Sequence, residues 1–282
     1  MIARYILAVP GTPLQFTRLG FGCARLFAGI EARGSHRLIE AALGLGIRHF
    51  DTAPSYAWGQ SELVLGEVLA SAKDVTIATK VGLAPVAGGP SALSTAYRLV
   101  GRPLLAHLPR LKSRLIRRAA TSVGSPPAEV GRRPLHRDEI HASLESSLRR
   151  LRRDRIDLLL IHEPDHIVLD EPTLEIFRDL QRREIIGAFG LGYARAVDVP
   201  PRFGQIVQAQ FSPTAPAATP NSPIARIWHG VLRAAESEAA DSTARAKTRI
   251  SQVLTARPGD GIVFSASTVR QIRDVAGATT LS

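Results

Sequence analysis

The chain of 282 residues contains one cysteine, Cys23, and one methionine. A lone thiol excludes a disulfide framework and a cysteine-built metal cage, and it fits a reducing cytoplasm. Cys23 reads as a small buried hydrophobe. No run approaches the ~20 apolar residues of a membrane span, and the opening residues 1–10 lack the apolar core of a secretory leader. The expectation is a cytoplasmic protein that does not enter a membrane. Lysine is scarce too, with four among the 36 basic residues, which reads as a coding bias and not as a functional signal. What is present is ordinary: 45% hydrophobic residues, enough for a sizeable core, in a length that suits one large α/β barrel or two modest domains.

The net charge of +11 is local. Between Arg98 and Arg155 stand fifteen Lys and Arg against five acids, leaving 21 basic and 20 acidic residues elsewhere. The excess belongs to one insertion and one helix. That stretch holds no Phe, Trp or Tyr, Tyr97 standing just before it, and no nucleic-acid-reading motif, so a solvated Arg-rich loop is the better reading and nucleic acid is not an expected partner.

Taken in order, residues 5–16 form short apolar runs around Pro10-Gly-Thr-Pro13, a hairpin-like start. Residues 18–22 give a first buried strand. Helical spacing covers 36–46, a second strand 47–50, a helix 61–72, and a β-branched third strand 74–80. Residues 83–134 interrupt the rhythm with a Pro-, Gly-, Ser- and Arg-rich insertion, in which 104–120 has an amphipathic pattern. The alternation then resumes: helix 138–151, strand 156–161, helix 173–183, strand 185–192, strand 205–211. Residues 212–223 carry four prolines and so exclude a crossover helix. Residues 225–232 read as a seventh strand, with the start of a helix as the alternative. A helix over 233–255, a last strand over 261–265 and a short helix over 268–275 complete the chain. Alternating β and α throughout predicts one (β/α)8 TIM barrel, with a long basic insertion after strand three and a shortened C-terminal part.

Polar groups stand at or just beyond the C-terminal ends of adjacent strands: Asp51, Tyr56, Lys80 and His162. In a barrel those ends converge on one face. Together they suit carbonyl reduction. A free tyrosine titrates near pH ~10, too high for proton transfer at neutrality. A lysine ammonium beside it stabilises the phenolate and lowers that value. Asp51 keeps the lysine charged and placed, and His162 donates a hydrogen bond to an oxygen on which charge develops. His162 and His166 are four apart, but Pro164 between them forbids one regular helix, so no metal site is expected. Gly190-Leu-Gly192 follows a strand but lacks the third glycine of a dinucleotide fingerprint. Trp58 and Tyr97 suit a pocket wall or ordinary packing equally, and Glu163 and Asp165 read as loop acids.

Several ordered segments over residues 17–212 closely resemble the aldo-keto reductase family. They are Leu19-Gly-Phe-Gly, Gly46-Ile-Arg-His-Phe-Asp-Thr-Ala-Pro-Ser-Tyr56, Gly59-Gln-Ser-Glu62, Ala78-Thr-Lys80-Val-Gly, and the run from Ser147 through His162-Glu-Pro. The pattern is nearest the branch of bacterial D-threo-aldose dehydrogenases and pyridoxal reductase-like enzymes. The resemblance implies a TIM-barrel oxidoreductase using NADP(H), with NAD(H) left open. The implied substrate is a small aldehyde, ketone or sugar, and the implied state a monomer or weak oligomer. Asp51, Tyr56, Lys80 and His162 match the family's tetrad, with Tyr56 as general acid/base. On the cofactor side, Gln208 matches the carboxamide-binding glutamine. Gly190 opens a motif whose usual Ser and Asn are replaced by Gly192 and Tyr193. Trp228 or His229 is the candidate to stack on the nicotinamide. Ser265, Ser267, Thr268 and Arg270 answer the phosphate motif, in which Gln271 replaces the usual Arg. The alternative reading is a catalytically weak or inactive reductase-like binding or regulatory protein.

Overall fold

The computed structural model describes residues 6–83, 132–198, 202–215, 222–232 and 242–277. A two-stranded antiparallel hairpin, β1 (Ile6–Ala8) and β2 (Gln15–Thr17), precedes eight parallel strands that close into a barrel. These are β3 (Leu19–Gly22), β4 (His49–Asp51), β5 (Thr76–Val81), β6 (Ile156–His162), β7 (Ile186–Gly192), β8 (Ile206–Gln210), β9 (Ala225–His229) and β10 (Asp260–Phe264). Neighbours follow chain order, and β10 pairs back onto β3 through Ile262↔Leu19 and Phe264↔Phe21. Around them lie α1 (Ala32–Gly44), α2 (Gln60–Leu69), α3 (Arg137–Leu151), α4 (Glu171–Arg182), α5 (Ser242–Ala256) and α6 (Val269–Ala276).

Strand alternation separates two cores. Ala78, Leu158, Leu160, Ala188, Ile206, Ala225, Ile227 and Val263 fill the interior together with Leu7, Val9, Leu14 and Phe16 of the hairpin segment. The hairpin therefore plugs the N-terminal end, where Phe16 stacks on His49 with centroids 4.3 Å apart. The alternate residues, among them Phe50, Ile77, Leu159, Phe189 and Val207, face the helix layer and its Ile39, Leu65, Leu144, Phe177 and Ile250.

The helices follow from their caps and stripes. Asp170 accepts a hydrogen bond from the Thr173 amide at 2.9 Å and starts α4, which buries Ile176, Phe177 and Leu180. Helix α2 ends at Leu69, earlier than its apolar pattern suggests, because Arg153 reaches over from the turn after α3. Its guanidinium donates to the carbonyls of Leu69 and Ala72, each at 2.7 Å, and so takes over the terminal acceptors. Helices α2 and α3 approach closely at Gly66, where a Cβ would lie 2.1 Å from the Arg150 carbonyl oxygen.

Residues 225–229 are the seventh barrel strand, held by Ile206↔Ala225 on one side and Ile227↔Gly261 on the other. Among the described residues, no helix stands between β8 and β9. The outer face there is filled by Phe211 and Trp228 with Arg257 near both rings (5.5 and 5.4 Å to the centroids), and by Ile250, Val253 and Leu254 of α5. Arg257 also donates to the carbonyls of Pro213 and Ala215, tying down the residues directly after β8. The two ends of the basic insertion meet where Arg133 Nη2 donates to the Gly82 carbonyl at 2.8 Å. The amphipathic pattern over 104–120 and the first part of the helix expected over 233–255 lie outside the described residues. No helix among the described residues is long and apolar enough to cross a membrane.

Candidate active site

Strand β4 ends on Asp51, and its parallel neighbour β5 brings Lys80 to the same end of the barrel. Both are 3% exposed. Lys80 Nζ donates to Asp51 Oδ1 at 2.8 Å, to the Thr52 carbonyl at 2.9 Å and to the Tyr56 hydroxyl oxygen at 3.2 Å. The ammonium is thus held by three oxygens, and the phenol keeps its own O–H to donate outward. Tyr56 opens a short turn in which Ala57, Trp58 and Gly59 all have positive φ (49°, 57° and 82°). That turn swings the ring over the barrel mouth. His162, the last residue of β6, meets the Tyr56 ring edge-on, with centroids 5.9 Å apart. The four tetrad candidates form one cluster.

Electrostatics follow from burial. Desolvation pushes the Tyr56 phenol above its ordinary value, and the nearby Lys80 charge only partly opposes it. Lys80 does lower the phenol, as expected, through its charge and its hydrogen bond, but burial raises it more and the net direction is upward. Lys80 itself is raised: burial opposes its charge, and Asp51 followed by Tyr56 outweighs that penalty. His162 is lowered to about 3 by burial and then by the Lys80 charge, so it stands neutral and able to donate an N–H.

Residues 18–199 match the sequence profile of the aldo/keto reductase family. The chain belongs to that family. It is 27% identical over 191 residues to the aldo-keto reductase YhdN of Bacillus subtilis (strain 168), covering 65% of this chain and 45% of that protein. It is 31% identical over 196 residues to a D-threo-aldose 1-dehydrogenase of Pseudomonas sp, covering 66% and 52%. The chain thus spans about half the length of these curated relatives. Among solved structures, aldo-keto reductase AKR11C1 from Bacillus halodurans in its holo form superposes with a TM-score of 0.62 at 18% identity, over 98% of this chain and 91% of that one. An aldo-keto reductase from Klebsiella pneumoniae in complex with NADPH gives 0.61 at 16%, over 97% and 91%. At such identities these two share the fold.

Aldo/keto reductase membership makes the cofactor side the next question, and the structure sorts its candidates. The register runs His162↔Gly192↔Gln208 across β6, β7 and β8, so Gln208 lies level with His162 in the wall. Gln208 is 3% exposed and its Oε1 has no hydrogen-bond partner. A buried acceptor left over at this height fits the amide N–H of a carboxamide. The Trp228 alternative is corrected. Its indole faces the helix layer and donates to Asp260 Oδ2 at 2.7 Å, so it is a core residue. His229, one position on and of opposite parity, faces inward, with Nε2 at 2.7 Å from the Tyr193 carbonyl oxygen.

Gly190 is also reassigned. A Cβ there would sit 1.9 Å from the Ile206 carbonyl oxygen, so strand packing by itself demands this glycine. Gly192 is different: a Cβ would meet nothing closer than 3.6 Å. Just before α6, Ser265 Oγ donates to the Gly22 carbonyl at 3.0 Å and ties the loops after β10 and β3. Thr268 caps α6 by accepting from the Gln271 amide at 3.2 Å. Gln271 folds back, and its Oε1 accepts from the amides of Ser267 (2.8 Å) and Thr268 (3.2 Å). Those amides are the donors a phosphate would use at a helix N-terminus. Arg270 is exposed and reaches toward Asp274, at 3.9 Å. Sequence reasoning assigned no role to Glu62, which is fully buried behind the site; its signal was the Gly59-Gln-Ser-Glu62 segment, used there for the family resemblance alone. Among the described residues, no cluster of His, Cys, Asp and Glu could hold a metal ion.

Proposed function

We propose that this protein transfers a hydride between a nicotinamide dinucleotide and a small aldehyde, ketone or sugar, with Tyr56 as general acid/base. The single observation that carries this reading is the Lys80 ammonium held at 2.8 Å from Asp51 and 3.2 Å from the Tyr56 hydroxyl. The dinucleotide, when bound, supplies the hydride. In reduction Tyr56 gives its proton to the carbonyl oxygen, which becomes the alcohol. Lys80 stabilises the phenolate left behind, and Asp51 stabilises Lys80. Neutral His162 donates its N–H to the same oxygen as negative charge builds there. The oxidation of an alcohol runs through the same groups in reverse.

Gln208 would hold the carboxamide, and His229 would offer its ring face to the nicotinamide. To the phosphate end we assign Ser265, Ser267, Thr268 and Arg270, on the resemblance to the family's motif. NADP(H) is the family expectation, and the Pseudomonas relative named as a D-threo-aldose 1-dehydrogenase supports an aldose among the substrates. We read residues 1–282 as one such barrel, with 83–134 inserted. The test mixes the protein with NADPH or NADH and a panel of aldehydes and aldoses. Carbonyl-dependent loss of reduced cofactor is expected, and its absence across the panel would sink the proposal.

One observation favours a second reading, that of a reductase-like binding protein with weak cofactor affinity. Gln271 occupies the two amides at the start of α6. Submicromolar NADPH binding, followed by fluorescence quenching, would remove this alternative.

A further inference from the structure

Tyr56 and Lys80 belong to different segments, so the 3.2 Å between them depends on what holds each from behind. Thr79 precedes Lys80 on β5 and therefore points the other way, into the helix layer. Its Oγ1 donates to Glu62 Oε1 at 2.6 Å. Glu62 is the third residue of α2 and is 0% exposed. Its other oxygen, Oε2, accepts from Arg150 Nε of α3 at 2.6 Å. The adjacent Ser61 is equally buried; its hydroxyl donates to the Cys23 carbonyl and shares a hydrogen bond with Thr52 Oγ1, both at 2.8 Å. The Thr52 carbonyl in turn accepts from Lys80 Nζ at 2.9 Å. A closed circuit runs Lys80, Thr79, Glu62, Ser61, Thr52 and back to Lys80.

Only Ala57, Trp58 and Gly59 separate Tyr56 from α2, and all three are left-handed. Such a turn persists when its surroundings fix both ends. Stability alone does not demand a buried ion pair here, because apolar side chains of similar size often pack as stably. What Glu62 adds is direction, since short charge-assisted hydrogen bonds constrain geometry more tightly than apolar contact does. We propose that Glu62 is a positioning residue for the proton donor: through Thr79 it fixes Lys80, and through the start of α2 it fixes the turn that carries Tyr56. The rate consequence rests on the oxidoreductase reading of the site; the geometric consequence does not.

Thr79→Val removes the hydroxyl, keeps the side-chain shape and leaves the Glu62–Arg150 pair in place. Thr79→Ser is the conservative control, and Glu62→Gln a second probe that keeps an acceptor for Thr79. Ultraviolet difference titration of each protein against its own Tyr56→Phe counterpart isolates the Tyr56 phenol. In Thr79→Val the phenol should titrate higher than in wild type, as Lys80 loosens. The kcat for carbonyl reduction should fall about tenfold, with KM within about twofold. Thr79→Ser should behave as wild type, and Glu62→Gln, which keeps the acceptor but loses the charge, should move the titration in the same direction by less than Thr79→Val. An unmoved Tyr56 titration in Thr79→Val overturns the positioning role whatever the rates do. A moved titration in a protein that reduces no carbonyl supports the positioning role and removes the oxidoreductase reading alone.

Discussion

Tyr56 keeps its proton more firmly than a free tyrosine because burial outweighs the Lys80 charge beside it. His162, lowered to about 3 by burial and then by Lys80, is already neutral at any working pH. The pH–rate profile of carbonyl reduction should therefore be flat through neutrality and fall only on the alkaline side, above the ordinary tyrosine value, as the phenol deprotonates. A limb centred near the ordinary histidine value of about 6.5 would show that the imidazole titrates during turnover, against this assignment. At this scale the tetrad was legible because each member ends or follows a readable strand. The choice between Trp228 and His229 was not, because one residue of register decides which face a side chain takes. Nor was the burial of Glu62, since a first-turn acid on a helix ordinarily faces solvent.

Among the elements, α2 and α3 matter most to the site, because the Glu62–Arg150 joint lies between them. Their approach depends on Gly66. A Cβ there would meet backbone atoms of α3, the Arg150 oxygen at 2.1 Å and the Leu151 carbonyl carbon at 2.9 Å, and backbone cannot step aside as a flexible side chain can. Gly66→Ala should cost about 2 kcal/mol or more in urea unfolding and lower activity in parallel. An unchanged midpoint would mean the helices are not seated through this contact. Most elements could be read from periodicity, with ends shifted where a distant group intervened. Arg153 shortening α2 is one such case, invisible in a local window. Residues 225–229 were ambiguous because the four prolines before them remove the crossover helix that ordinarily announces the next parallel strand.

For the whole molecule, the plugged N-terminal end and the end that carries Asp51, Lys80 and His162 make different demands. His49, under the Phe16 ring with Nδ1 at 3.0 Å from Thr76 Oγ1, is lowered to about 4 by burial. His162 is lowered further, to about 3. Both bind protons less readily folded than unfolded, where the value is about 6.5. Their contribution to stability is therefore complete above the unfolded value and is lost as pH falls through the window toward 4 and 3. Urea midpoints should drop steadily from pH 7 to pH ~4.5, and His49→Asn should flatten part of that slope. Identical slopes in the two proteins would remove His49 from the account. The barrel as a whole was legible from its alternating pattern. The insertion was legible only as an interruption of that pattern, and residues 84–131 lie outside the described residues.

The central claim is that Tyr56, set by Lys80, donates the proton that accompanies hydride transfer. Its most direct test compares wild type with Tyr56→Phe, following loss of reduced cofactor with an aldehyde that the wild type reduces, and measuring cofactor affinity alongside. The ring is kept and only the hydroxyl is lost, so affinity should stay within about twofold while kcat falls by at least about a hundredfold. Equal turnover by the two proteins, at equal affinity, would contradict the assignment.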